Sequence, residues 1–128
     1  MPRQPSEQPT AVELEILNAL WDEGPSTVRQ IHNLVGEKKQ TSYATTVKML
    51  VVMFEKGLVK RDDSIRPQIY RAGVTRNGAQ SKMLNSLIAK AFEGSAKSLV
   101  MKALSSQKAS KEDLAEIRAL IEQLEDEK

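Results

Sequence analysis

The chain has 128 residues, 40% of them apolar and 28% charged, a composition within reach of one ordinary globular domain or two small ones. With no cysteine and a single histidine, disulfides and thiolate metal sites are excluded, and no carboxylate cluster offers a metal an alternative. No window approaches the roughly 18 uninterrupted apolar residues of a membrane span, no secretory signal is visible in the polar, proline-bearing stretch up to Pro9, and the expected compartment is the cytoplasm.

Residues 1–8 read as a disordered lead. Thr10-x-x-Glu13 is a capping box, in which the Thr hydroxyl accepts from an early helix N–H and the Glu reaches back. The helix it opens carries Leu14, Leu17, Leu20 and Trp21 on one side, and Asp22-Glu23-Gly24-Pro25 ends it. Thr27-x-x-Gln30 opens a second helix with Val28, Ile31, Leu34 and Val35 inward, and residues 36–40 form a turn. His32 has no ligand partner and reads as an ordinary surface or half-buried histidine.

A third helix over residues 42–56 is capped by Thr41 or Ser42. Projected at 100° per residue, Thr46, Met49, Leu50 and Met53 share one face. Ala44, Thr45, Lys48, Val51 and Val52 fall opposite. That second face is modest in bulk and carries one cation, which suits a helix entering a DNA major groove. Gly57 stops the helix, and a two-stranded ribbon follows: Leu58 and Val59, a polar tip over residues 62–67, then Ile69 and Tyr70. Helix, turn, helix and ribbon make a winged helix-turn-helix over residues 9–74. Between residues 37 and 71 there are eight Lys/Arg against four Asp/Glu, so the small net charge of +2 hides a basic stretch. Lys60, Arg61, Arg66 and Arg71 are candidates for phosphates flanking the groove. Ser42 and Tyr43, at the start of the helix, join the candidate interface, although packing explains Tyr43 and Tyr70 equally well.

Residues 75–128 read as a helical dimerisation domain of three helices. The first is capped at Thr75 and runs to about Glu93, with Leu87 and Phe92 among its apolar positions. Gly94-Ser95 breaks and recaps the chain, and a short helix carries Leu99, Val100 and Leu104. Ser110-x-x-Asp113 opens the last helix, where Leu114, Ile117, Ile121 and Leu124 follow the 3-4-3 spacing of a heptad seam. Three helices of this size cannot bury so wide an apolar face alone, and a second copy is the economical cover. The whole reads as mainly α with a small β-hairpin wing.

No nucleophile–base pair, Gly-rich phosphate loop or metal pair is present, so an enzyme is not expected, nor a cofactor. The rival to DNA binding is a winged helix that docks on protein. The two differ in salt response, because phosphate contacts weaken steeply as salt rises.

Pro9-Thr10-x-x-Glu13-Leu14-Glu15-Ile16-Leu17 with Leu20-Trp21, Gly24-Pro25-Ser26-Thr27-Val28-Arg29, Tyr43-Ala44-Thr45-Thr46, Met53-x-Glu55-Lys56-Gly57-Leu58-Val59, Tyr70-Arg71, Phe92-Glu93-Gly94-Ser95 and Ser98-Leu99-Val100 form an ordered set of words. That set resembles the penicillinase-repressor (BlaI/MecI) family of transcriptional regulators from Pro9 to Leu124. The resemblance implies a homodimeric repressor on a palindromic operator, with Ala44, Thr45, Lys48 and Val52 facing the groove. It also implies release through a membrane sensor with a metalloprotease domain, and aligns the cut bond with Lys102–Ala103. The chain departs from the better-known members in lacking basic residues at 44 and 52, and in having Lys-Ala where they have Asn-Phe. Copper-responsive relatives use C-terminal cysteines, which are absent here.

Overall fold

The computed structural model describes residues 8–128; the disorder expected of residues 1–8 concerns a stretch outside the described residues, save Gln8. The described chain is mainly helical with one small sheet. In chain order its elements are α1 (Ala11–Glu23), β1 (Ser26–Thr27), α2 (Val28–Ile31), α3 (Tyr43–Glu55), β2 (Val59–Asp62), β3 (Ile69–Ala72), α4 (Arg76–Ala91), α5 (Ala96–Ser106) and α6 (Lys111–Asp126). A π-helical turn over His32–Gly36 extends α2. One compact unit runs to Leu84 and a second spans Asn85–Lys128.

The helix starts follow from local chemistry. Thr10, Thr27 and Ser110 close full capping boxes with Glu13, Gln30 and Asp113. Ser42, not Thr41, caps α3, its Oγ accepting from the Thr45 N–H at 3.1 Å, and Ser95 caps α5 in the same way. Each such cap is worth about 1 kcal/mol. Gly24 ends α1 with φ 83° and Gly57 follows α3 with φ 81°, the left-handed conformation that glycine alone adopts without a Cβ penalty.

The core of the first unit joins Ile16, Leu17 and Leu20 of α1, Ile31 and Val35, Leu50 and Met53 of α3, and Leu58, Val59 and Tyr70 around the wing. Full burial of side chains such as Leu50 and Met53 contributes roughly 1.5–3 kcal/mol each. On α1 the inward stripe includes Ile16 and Glu13, while Leu14 and Trp21 are only half-buried. Trp21 packs at the core's edge and donates its Nε1–H to the Val74 carbonyl at 3.0 Å.

Two sequence expectations need correction. Leu34 does not point inward; it is 38% exposed. The Glu37 N–H bonds the His32 carbonyl at 2.9 Å, an i→i+5 bond. This wider turn brings Val35 into line with Ile31 and rotates Leu34 off the stripe. Gly36 belongs to that turn, and the loop proper starts at Glu37. The predicted hairpin is present as β2 and β3, but a third short strand joins it. Ser26 pairs with Tyr70 and Thr27 with Ile69, so the sheet has the antiparallel order β1-β3-β2.

Where the sequence places the start of the helical segment, at residue 75, the first unit continues for about ten residues. Ala79 on the opening turns of α4 is buried, and Arg76 bonds Asp22 at 2.6 Å. In the second unit no described residue is fully buried.

Candidate nucleic-acid interface

The face of α3 that meets the core is fixed by its apolar spacing. Thr46, Leu50 and Met53 are buried and Met49 is half-buried. The opposite face is therefore free: Ala44, Thr45, Lys48, Val51 and Val52 are all exposed. A row of short side chains around one cation is what a groove can admit.

Both ends of α3 are braced. At its C-terminal end, Lys56 reaches back to Glu13 of α1, its Nζ 2.9 and 3.0 Å from the two carboxylate oxygens. The pair is enclosed, with side-chain exposures of 9% and 6%. Burial alone would push the Glu13 carboxyl up; the Thr10 N–H and the Lys56 ammonium outweigh it and hold it below its ordinary value. Sequence reasoning saw only the capping half of Glu13. Its partner lies 43 positions away, and no local pattern announces it.

At the N-terminal end, His32 Nδ1 and Thr46 Oγ1 lie 2.9 Å apart, across Gly36. A Cβ at Gly36 would collide with the imidazole and sit 2.8 Å from Thr46 Oγ1, so α2 and α3 approach over a position only glycine fits. His32 is half-buried, as the sequence suggested. Its ring meets the Tyr43 ring edge-on at 82°, and Arg29 lies over Tyr43 with its guanidinium carbon 4.3 Å from the centroid. Arg29 was not among the sequence candidates, since a single exposed arginine carries no periodic signal. Ser42 and Tyr43 are exposed, and Ser42 is occupied in capping.

In the wing, Lys60 and Arg71 are exposed cross-strand partners on one face of the sheet. Arg66 stands exposed in the loop between β2 and β3. Arg61 is different: its guanidinium lies 4.2 Å over the Phe54 ring, and its Nε is 2.7 Å from Asp63. Asp62 is committed to the loop as well: the Ser64 hydroxyl, and then the Ser64 N–H at 2.9 Å, donate to its carboxylate and hold it below its ordinary value. Among the described residues Lys60 and Arg66 are thus the wing cations left uncommitted, while Arg71 also acts on the Asp62 charge and Arg61 braces the wing.

Among the second unit's apolar candidates, Leu87, Val100, Leu104, Leu114, Ile121 and Leu124 are exposed, and Phe92, Leu99 and Ile117 are half-covered. Lys102 and Ala103 are exposed within α5. Among the described residues no group of His, Asp and Glu is placed to hold a metal, and no helix is long and apolar enough to cross a membrane.

The family described as penicillinase repressor matches residues 9–123. No curated protein matches. Among solved structures the chain is similar to a MarR family transcriptional regulator from Silicibacter pomeroyi DSS, at 20% identity over 93% of this chain and 70% of that one, with a TM-score of 0.48. It is similar to the transcriptional repressor BigR from Xylella fastidiosa, at 25% identity over 62% and 72% of the two chains, with a TM-score of 0.44. A MarR family protein from Bacillus stearothermophilus also matches, at 20% identity over 99% and 76%, with a TM-score of 0.44.

Proposed function

The chain belongs to the penicillinase repressor family, and from that membership we propose a homodimer that lays α3 in the major groove of a palindromic operator, with one wing on the backbone beside each half-site. As a member of the family the protein is a DNA-binding transcriptional repressor and not an enzyme. The observation that carries the finer reading is the two-sidedness of α3: Leu50 and Met53 are locked into the core while Ala44, Thr45, Lys48 and Val52 stand free. Lys60, Arg66 and Arg71 supply cations beside that face. The apolar face of residues 85–128 supports the dimer, because an exposed row such as Leu114, Ile121 and Leu124 needs cover. Two-fold symmetry in the protein then matches two-fold symmetry in the operator.

Release by cleavage at Lys102–Ala103 belongs to the same proposal, with a membrane sensor metalloprotease as the trigger and the cytoplasm as the site of action. Both residues are exposed, and cutting there would separate α6 from the rest of the apolar face. An immunoblot of the tagged protein with and without a cell-wall antibiotic tests it: a full-length band that persists while target genes switch on rules out cleavage. Footprinting on the protein's own promoter tests the operator reading. Two protected half-sites about one helical turn apart are expected, and a single protected site, or none, contradicts it.

A further inference from the structure

Arg29 is held in a way the interface above does not explain. It is exposed, at the second residue of α2, and its guanidinium lies 4.3 Å from the centroid of Tyr43, the first residue of α3. Tyr43 is itself braced by the edge-on His32 ring, and His32 is tied to the buried Thr46. The stack is therefore anchored on both helices. A guanidinium carbon seated over a ring face leaves N–H groups of the fork open to a further acceptor. Among the described residues no carboxylate pairs with Arg29.

The other end of α3 provides the contrast. Tyr43 and Phe54 are eleven positions apart, about three helical turns and ~16 Å along the axis, so they share one flank of α3. Arg61 lies over Phe54 much as Arg29 lies over Tyr43, but it forms an ion pair with Asp63, whose Oδ1 is 2.7 Å from its Nε. Of the two, one has its charge answered among the described residues and the other does not. The shared flank adjoins the outward face that bears Ala44 and Lys48. In a helix-turn-helix the first helix crosses the backbone while the second enters the groove. A cation on α2 that overhangs the start of α3 is then aimed at the strand edging the groove.

We propose that Arg29 is a backbone-phosphate clamp, its N–H fork meeting the non-bridging oxygens of one phosphate, with Tyr43 as the positioning residue that keeps the fork flat and aimed. The inference rests on the reading of α3 as the groove helix. It adds a sequence-independent contact that fixes register without choosing bases.

The test uses the full-length protein, a labelled duplex from upstream of its own gene, and a random-sequence duplex of equal length, titrated over a range of salt. Arg29→Ala should weaken binding to both duplexes about tenfold and flatten the log K versus log salt slope by about one. The ratio between the duplexes should not change. Arg29→Lys should restore the slope but not the full affinity, since an ammonium neither stacks flat nor forks. Tyr43→Leu keeps the charge and should lose affinity at nearly the wild-type slope. If wild type binds and Arg29→Ala keeps both slope and affinity, the clamp is wrong while the groove reading stands. Should wild type bind neither duplex, the groove reading falls and takes the clamp with it. If Arg29→Ala fails to fold, Arg29→Lys decides: full wild-type affinity overturns the fork, and a partial loss upholds it.

Discussion

Glu13 at the first turn of α1 and Lys56, the residue just after α3, form a closed ion pair, both carboxylate oxygens lying within 3.0 Å of the ammonium. The same carboxylate accepts from the Thr10 N–H at 2.9 Å, so one side chain caps α1 and anchors α3. Lys56→Met leaves that carboxylate buried without its cation, at a cost of about 3–5 kcal/mol. Urea unfolding measures it, and a loss under ~1 kcal/mol would show that the pair bears no structural load. The same group sets an acid limb. Its folded pKa lies below the ordinary 4.5, so its stabilisation is complete above that value and is lost as pH falls through the lower folded one. Glu13→Gln should be less stable at neutral pH and lose less on acidification.

Gly36→Ala should destabilise the first unit by about 1–3 kcal/mol, because the new methyl overlaps the His32 imidazole and crowds Thr46. His32→Ala in the same chain should recover part of the loss by removing the clash. Thermal melts of the single and double variants check this, and additive losses would mean that the strain lies elsewhere.

Lys48 is the lone cation on the outward face of α3. If it contacts phosphate, Lys48→Ala flattens the salt slope by about one and weakens all duplexes alike. If it reads a guanine, discrimination at one base pair falls by about 1–3 kcal/mol. Unchanged affinity and slope would remove Lys48 from the interface.

Arg66 stands in the exposed wing loop with no ion-pair partner among the described residues. Arg66→Ala should shorten the footprint at its outer edges and leave the preferred central bases alone. A shift in those central bases would place the wing over the half-site instead.

Ile121 is 48% exposed on the apolar row of α6. Ile121→Asp should give a monomer by sedimentation and a collapse in operator affinity, since two half-sites are then no longer linked. Because the side chain is uncovered within one chain, the melting of the first unit should hold. A variant that remains dimeric would move the seam off α6.

Much of this chain could be read without coordinates because the signals are local. A cap needs its partner only three residues on, so Thr10, Thr27 and Ser110 announced their helices, and a core stripe repeats every turn, so Thr46, Leu50 and Met53 announced the inward face of α3 and thereby its outward one. Gly57 marked the helix stop because few other residues accept its φ. Tertiary structure decided what depends on distant or non-periodic partners. Ser26–Thr27 is too short to carry an alternation and becomes a strand only because Tyr70 and Ile69 lie beside it. Leu34 faces outward because one i→i+5 bond changes the phase of α2. The division of labour among the arginines is the sharpest case: Arg61 is answered by Asp63 and Arg29 by no carboxylate among the described residues, and only a folded chain brings acid and base within the few ångströms over which that difference is set.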